Sequence, residues 1–111
     1  MQSRNRFGDV LNISKDQWVH EVTQASIGGV YVLVHLYQDS IIECALMDEA
    51  LIVIANKYQY IKICRIKSKS AVENWPDQNL PTLFVYKDNE LAIQLLTLDR
   101  LYGKQMKPIG R

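Results

Sequence analysis

The sequence predicts an α/β fold, a mixed β-sheet with helices on both faces, and three stretches carry that reading. "VYVLVHLY", residues 30–37, is β-branched and aromatic with no polar alternate, the composition of a strand covered on both sides. From Ile42 to Tyr58 apolar residues return every three or four positions, the period of a helix. "TLFVYKDNELAIQLL", residues 82–96, holds two strand-like runs separated by Asp88 and Asn89, which signals a hairpin. Strands separated by a helix need a crossover and run parallel, whereas a tight turn joins antiparallel neighbours, so the sheet should contain both kinds of pairing.

The elements follow in order. "FGDVLNI", residues 7–13, alternates weakly and predicts a short edge strand. Ser14 is placed as an N-cap with Gln17 three residues on, and Trp18, Val22 and Ala25 continue at helical spacing, predicting a helix over 15–26 that Gly28 and Gly29 end. The run 30–37 is the expected centre of the sheet. In the next helix, from Ile42 to Lys57 or Tyr58, the residues Leu46, Ala50, Leu51, Ile54, Ala55 and Tyr58 are read as the apolar face, with Asp48, Glu49, Asn56 and Lys57 on the wet side. "YIKICRIK", residues 60–67, is a third strand. "SKSAVENWPDQN", residues 68–79, is too polar for more than one helical turn, and the hairpin strands are 82–87 and 90–97. Residues 4–103 make one domain, and 104–111 are expected to be a disordered tail.

Composition narrows the function classes. In 111 residues, 48% are hydrophobic, enough for one ordinary core. Lys and Arg number 13 against 12 Asp and Glu, so no strong field argues for nucleic acid or an anionic membrane. The apolar runs "VYVLVHLY" and "ALIVIA" fall far short of the roughly 18–20 residues that span a bilayer. "MQSRNRFGDV" has no apolar signal-like core, and two cysteines make no disulfide framework, so a reducing, cytoplasmic location is expected.

Cys44 stands where a strand gives way to a helix, and a helix N-terminus lowers a thiol pKa, so a reactive or regulatory thiol is one reading. Glu43 opposes thiolate formation, and free cysteine packs as a small hydrophobe, which favours an inert residue of the first turn. Cys64 reads as a core strand residue. A disulfide between them would need Cα atoms within about 7 Å, which a helix start and a strand middle rarely offer. Two histidines and two scattered cysteines give no metal-ligand spacing, and no metal or cofactor is expected. His20 reads as surface, and His35, on the central strand, as a buried histidine with its polar atoms satisfied, since a catalytic role would need more partners than Cys44 alone. Lys62, Arg65, Lys67 and Lys69 form a small basic cluster, read as a solvated edge that discourages strand addition. Trp75, a large aromatic in a polar loop, is either a partner contact or packed on Pro76 and the core, and both remain open.

"NLPTLFVYKDNE" closely resembles the "IPTLLLFKNGE" type of segment in thioredoxins, which implies a cis bond before Pro81, lying against an active-site turn. Laying the thioredoxin pattern "VDFWAEWCGPCKM" on "VHLYQDSIIECAL" puts Ile41 at the attacking cysteine, Cys44 at the resolving cysteine and His35 at the buried aspartate. The chemistry needs a thiolate to attack and a second thiol to resolve the mixed disulfide, and isoleucine does neither. More specifically, "RFGDVLNISKDQWVHEVTQAS", "VLVHLYQDSIIECALMDEAL" and "NWPDQNLPTLFVYKDNELAIQ" together resemble the C-terminal thioredoxin-like domain of group II phosducin-like proteins, from about Arg4 to Gly103. Trp75 stands where that family has tyrosine.

The resemblance implies a thioredoxin-like fold, a vestigial active-site turn at Ile41, Cys44 and Pro81, and a non-catalytic monomeric domain. It also implies a partner, the cytosolic chaperonin TRiC/CCT, and an effect on the folding of clients such as actin and tubulin. Family members carry an N-terminal helical region and a C-terminal helix with an acidic tail. This chain starts at the domain edge and ends in "KPIGR", so it is expected to be a fragment or shortened form whose C-terminal helix is missing and whose sheet lacks part of its cover. Two alternatives stand beside this: a one-cysteine thiol oxidoreductase using Cys44 with glutathione, and binding of G-protein βγ subunits.

Overall fold

Five strands form one sheet in the order β1-β3-β2-β4-β5: β1 Val10–Asn12, β2 Val32–Tyr37, β3 Lys62–Lys67, β4 Thr82–Lys87 and β5 Glu90–Leu96. The structure, a computed structural model, describes residues 7–96. β1 and β2 run parallel to β3, with Val10 opposite Ile63 and Val34 opposite Cys64. β4 is antiparallel to β2 and to β5, with Val34 opposite Phe84 and Leu83 opposite Leu95. The mixed sheet is what the alternation of crossovers and hairpin dictates. The expected tail, 104–111, and the domain limits before 7 and after 96 lie outside the described residues.

Residues 15–26 are helical and lie where expected, but not as one regular α-helix: a 3-10 turn at Lys15–Gln17, a π-type turn at Val19–Thr23 and a second 3-10 turn at Gln24–Ser26 follow one another. β-branched Val19, Val22 and Thr23 weaken the regular α form through their restricted χ1. The Gln17 side chain accepts the Ser14 backbone N–H at 2.8 Å, which satisfies an amide at the segment's start. Val22 is fully buried, and Trp18 and Ala25 pack beside it on a cluster of Val32, Val34, Leu36, Cys64, Ile66 and Phe84. The hairpin turn is clamped to the end of this segment. Asp88 and Asn89 adopt positive φ of 52° and 70°; their backbone N–H groups donate to Ser26 O and Ser26 Oγ, each at 2.8 Å.

Helix α1, Ile42–Lys57, covers the opposite face of the sheet, with Met47, Leu51 and Ala55 on Ile63 and Leu83. Its bounds are as expected, but the buried face is rotated from the expected one. Cys44, Met47, Leu51 and Ala55 are buried, while Leu46 is 52% exposed and Ala50 is also on the solvent side. Asp48, expected on the wet side, is half-buried. A helix apolar around most of its circumference gives periodicity nothing to choose between; in the fold the Asp48 side chain turns to His35 and Arg65 on the sheet.

The crossover from β3 to β4 holds the short helix α2, Ser68–Ala71, and a 3-10 turn at Asp77–Asn79. β3 is an interior strand, so its cations do not guard an edge. Each is paired instead, Lys62 with Glu21, Arg65 with Asp48 and Lys67 with Asp39, and Lys69 on α2 pairs with Asp77. Among the described residues α1 is the helix on its face of the sheet, and it lies against β1 and β3. Towards β5 the apolar surface is thinly covered: Leu33, Val85 and Leu95 are half-buried and Ile93 is 50% exposed.

Candidate functional site

β2 ends at Tyr37, and the chain turns through Gln38–Ile41 into α1. The Ile41 N–H donates to Gln38 O at 3.3 Å, and the Cys44 N–H to Ile41 O at 3.0 Å. Ile41 is the N-cap residue in an extended conformation, with φ −104° and ψ 116°, and it brings no side-chain oxygen to the helix amides. Half-buried Ile41 packs against the core cluster that contains Cys44 and Leu80. The Leu80–Pro81 bond is cis, and Pro81 is fully buried. Behind it the loop is tied down: the Trp75 indole Nε1–H donates to Thr82 Oγ1 at 3.0 Å, and that hydroxyl donates to Asn79 O at 2.8 Å. The Trp75 ring meets Phe84 edge to face at 6.0 Å, so this aromatic spends its N–H and one ring edge inside the fold.

The thiol chemistry follows from burial. Cys44 is 2% exposed; loss of water pushes its thiol up, a hydrogen bond with the Gln38 backbone pulls it partly back, and the Asp48, Glu43 and Asp77 carboxylates push it up again. Cys64 is fully buried on β3 and pushed up to about 11 by burial. Both are free thiols. A nucleophilic thiol needs the opposite environment, an electropositive and accessible one.

Beside the turn lies a polar cluster that sequence reasoning found only in part. His35 is fully buried on β2, and its Nδ1 lies 3.0 Å from Asp48 Oδ1 on α1. Arg65 on β3 donates to the same carboxylate twice, Nε to Oδ1 at 3.1 Å and Nη2 to Oδ2 at 2.9 Å, and its Nη1 donates to Asn12 Oδ1 on β1 at 2.8 Å. The guanidinium also lies over the Tyr37 ring, 3.8 Å from its centre. Burial lowers the His35 pKa to about 4 against the opposing charge and hydrogen bond of Asp48, while the Arg65 cation lowers it further. The imidazole is therefore neutral at pH 7, with its proton on Nδ1 facing the carboxylate, and Nε2 is buried without a hydrogen-bond partner among the described residues. His35 is thus half satisfied rather than fully. In the sheet His35 stands opposite Arg65, which brings both to the same carboxylate. The signal for Asp48 was its place on the helix between buried Cys44 and Leu51.

Among the described residues no three His, Cys, Asp or Glu side chains gather as metal ligands, and no helix is long and apolar enough to cross a membrane. A family model described as Phosducin matches residues 1–105. The chain belongs to the phosducin family. Among its phosducin relatives, phosducin-like protein 2 of Dictyostelium discoideum is 38% identical over 94 residues, covering 85% of this chain and 38% of that protein. Phosducin-like protein 3 of Mus musculus is 39% identical over 95 residues, covering 86% of this chain and 39% of its own length. A phosducin-like protein of Schizosaccharomyces pombe reaches 44% over 101 residues, 91% of this chain and 43% of its own. The chain thus spans about two fifths of the length of these phosducin-like proteins. Thioredoxin f from spinach chloroplast, in its short form, has the same fold, with a TM-score of 0.73 at 18% identity over 94% of this chain and 93% of that one. The phosducin resemblance and the thioredoxin-like fold expected from the sequence are both borne out.

Proposed function

We propose that this phosducin-family chain is a non-catalytic binding domain of a co-chaperone, with the cytosolic chaperonin TRiC/CCT as its partner and the folding of clients such as actin and tubulin as the process it modulates. It works in the cytoplasm, as a monomer, without metal or cofactor. What supports the non-catalytic part is the turn: the resemblance to the thioredoxin pattern sets Ile41 at the attacking position and Cys44 at the resolving one, and Cys44 is buried with its thiol pushed up. The partner rests on membership of the phosducin family and on the resemblance to its group II branch.

Affinity capture from a cytosolic extract tests the partner, with this chain and full-length mouse phosducin-like protein 3 as parallel baits and blots for chaperonin subunits and for G-protein βγ. Retention of chaperonin on this chain is the expected result. Retention on the full-length relative alone would place docking outside this domain, retention of βγ alone would favour the alternative partner, and failure of both baits would end the co-chaperone assignment.

A further inference from the structure

Between the β1 edge of the sheet and α1 lies an open cavity of about 460 Å³. That is within the roughly 300–1,000 Å³ of a small-ligand site. Arg65, Asp48, Asp9, Asn12, Ile52 and Asn56 are among the residues that line it.

The polar inventory decides what the cavity can hold. Arg65 is the cation there, and it is already committed: Nε and Nη2 to Asp48, Nη1 to Asn12, and one face to the Tyr37 ring. An anion would have to displace the Asp48 carboxylate to reach it. Asp48 in turn is engaged by Arg65 and His35, so its charge is largely offset. Asp9 is different. Its carboxylate is exposed and has no ion pair among the described residues, and the Asn56 side chain has no hydrogen bond there. The same lining holds Ile52, 55% exposed, and the buried Ala55. One uncommitted carboxylate, an unpaired amide and an apolar wall are complementary to a positive head on an aliphatic stem.

We propose that the cavity between β1 and α1 is a docking pocket for a lysine or arginine side chain of a protein partner, with Asp9 and Asn56 receiving the cationic head and Ile52 its stem. The polar lining is preorganised, because Arg65 bonds both Asp48 and Asn12 and so joins β3, α1 and β1 across a strand pair in which Asn12 lies opposite Arg65. The pocket does not depend on the identity of the partner as a chaperonin.

The test is a two-dimensional amide NMR titration of the labelled chain with three probes: Nα-acetyl-arginine methylamide, Nα-acetyl-lysine methylamide, and the citrulline analogue, which keeps the arginine shape without its charge. Saturable shifts at Gly8, Asn12 and Asn56 are expected with at least one cationic probe, with citrulline binding at least about tenfold more weakly. Asp9→Asn should weaken the cationic probe by about tenfold, and added salt should weaken it too. Asp9 and Asn56 are both exposed, so Asp9→Asn and Asn56→Ala should leave the rest of the spectrum in place and report on binding alone. Equal response to citrulline, an Asp9→Asn chain that binds like the parent, or no saturable shift at these amides would overturn the proposal.

Discussion

His35 takes the position that a buried carboxylate holds in the thioredoxin pattern, and its environment makes it a source of acid sensitivity. In the unfolded chain the imidazole titrates near its ordinary 6.5, whereas the folded protein keeps it neutral down to about 4. Between those values the unfolded state binds more protons, so stability falls as pH falls through the window, by at most about 3 kcal/mol at roughly 1.4 kcal/mol per unit. The urea midpoint should therefore drop between pH 7 and pH 4.5, and His35→Leu should flatten that slope, because the proton uptake is gone. Asp16 and Glu21, held below the ordinary carboxyl range by Ser14 and Lys62, lose their contribution at lower pH in both proteins. Equal pH slopes in the parent and His35→Leu would sink this account. The sequence made His35 legible as buried, because a strand with no polar alternate leaves no wet side. It did not reveal Asp48 as its partner, since that contact joins residues on two elements and depends on how α1 is rotated.

At the scale of elements, bounds were easier to read than faces. Ile42–Lys57 and the two hairpin strands stand where period and turn signals put them, because those signals are local. The inward face of α1 is not local information. With Ile42, Leu46, Ile52 and Val53 outside and Met47, Leu51 and Ala55 inside, apolar residues occupy both sides of the helix. Truncation tells the faces apart: Leu51→Ala should cost about 2–5 kcal/mol in urea unfolding, as a buried leucine does, and Leu46→Ala less than about 0.5 kcal/mol. The reverse order would mean that the helix packs by the face the sequence first suggested. The basic cluster shows the same limit: four cations on and beside β3 suggest an edge until the strand order puts β3 inside and gives each cation an acid.

Over the described residues the molecule is a thioredoxin-like sheet of a phosducin-family chain, with a cis Leu80–Pro81 bond and a turn at Gln38–Ile41 that leads into the first helical turn of α1. Ile41 has no thiol to attack with, and Cys44 is buried and raised. That combination is the basis for reading the domain as a binding surface, and it is directly measurable. Dithiothreitol-driven insulin reduction, followed as turbidity, should run no faster with this chain than with dithiothreitol alone; acceleration proportional to chain concentration and abolished by Cys44→Ser would contradict the account and restore the one-cysteine oxidoreductase.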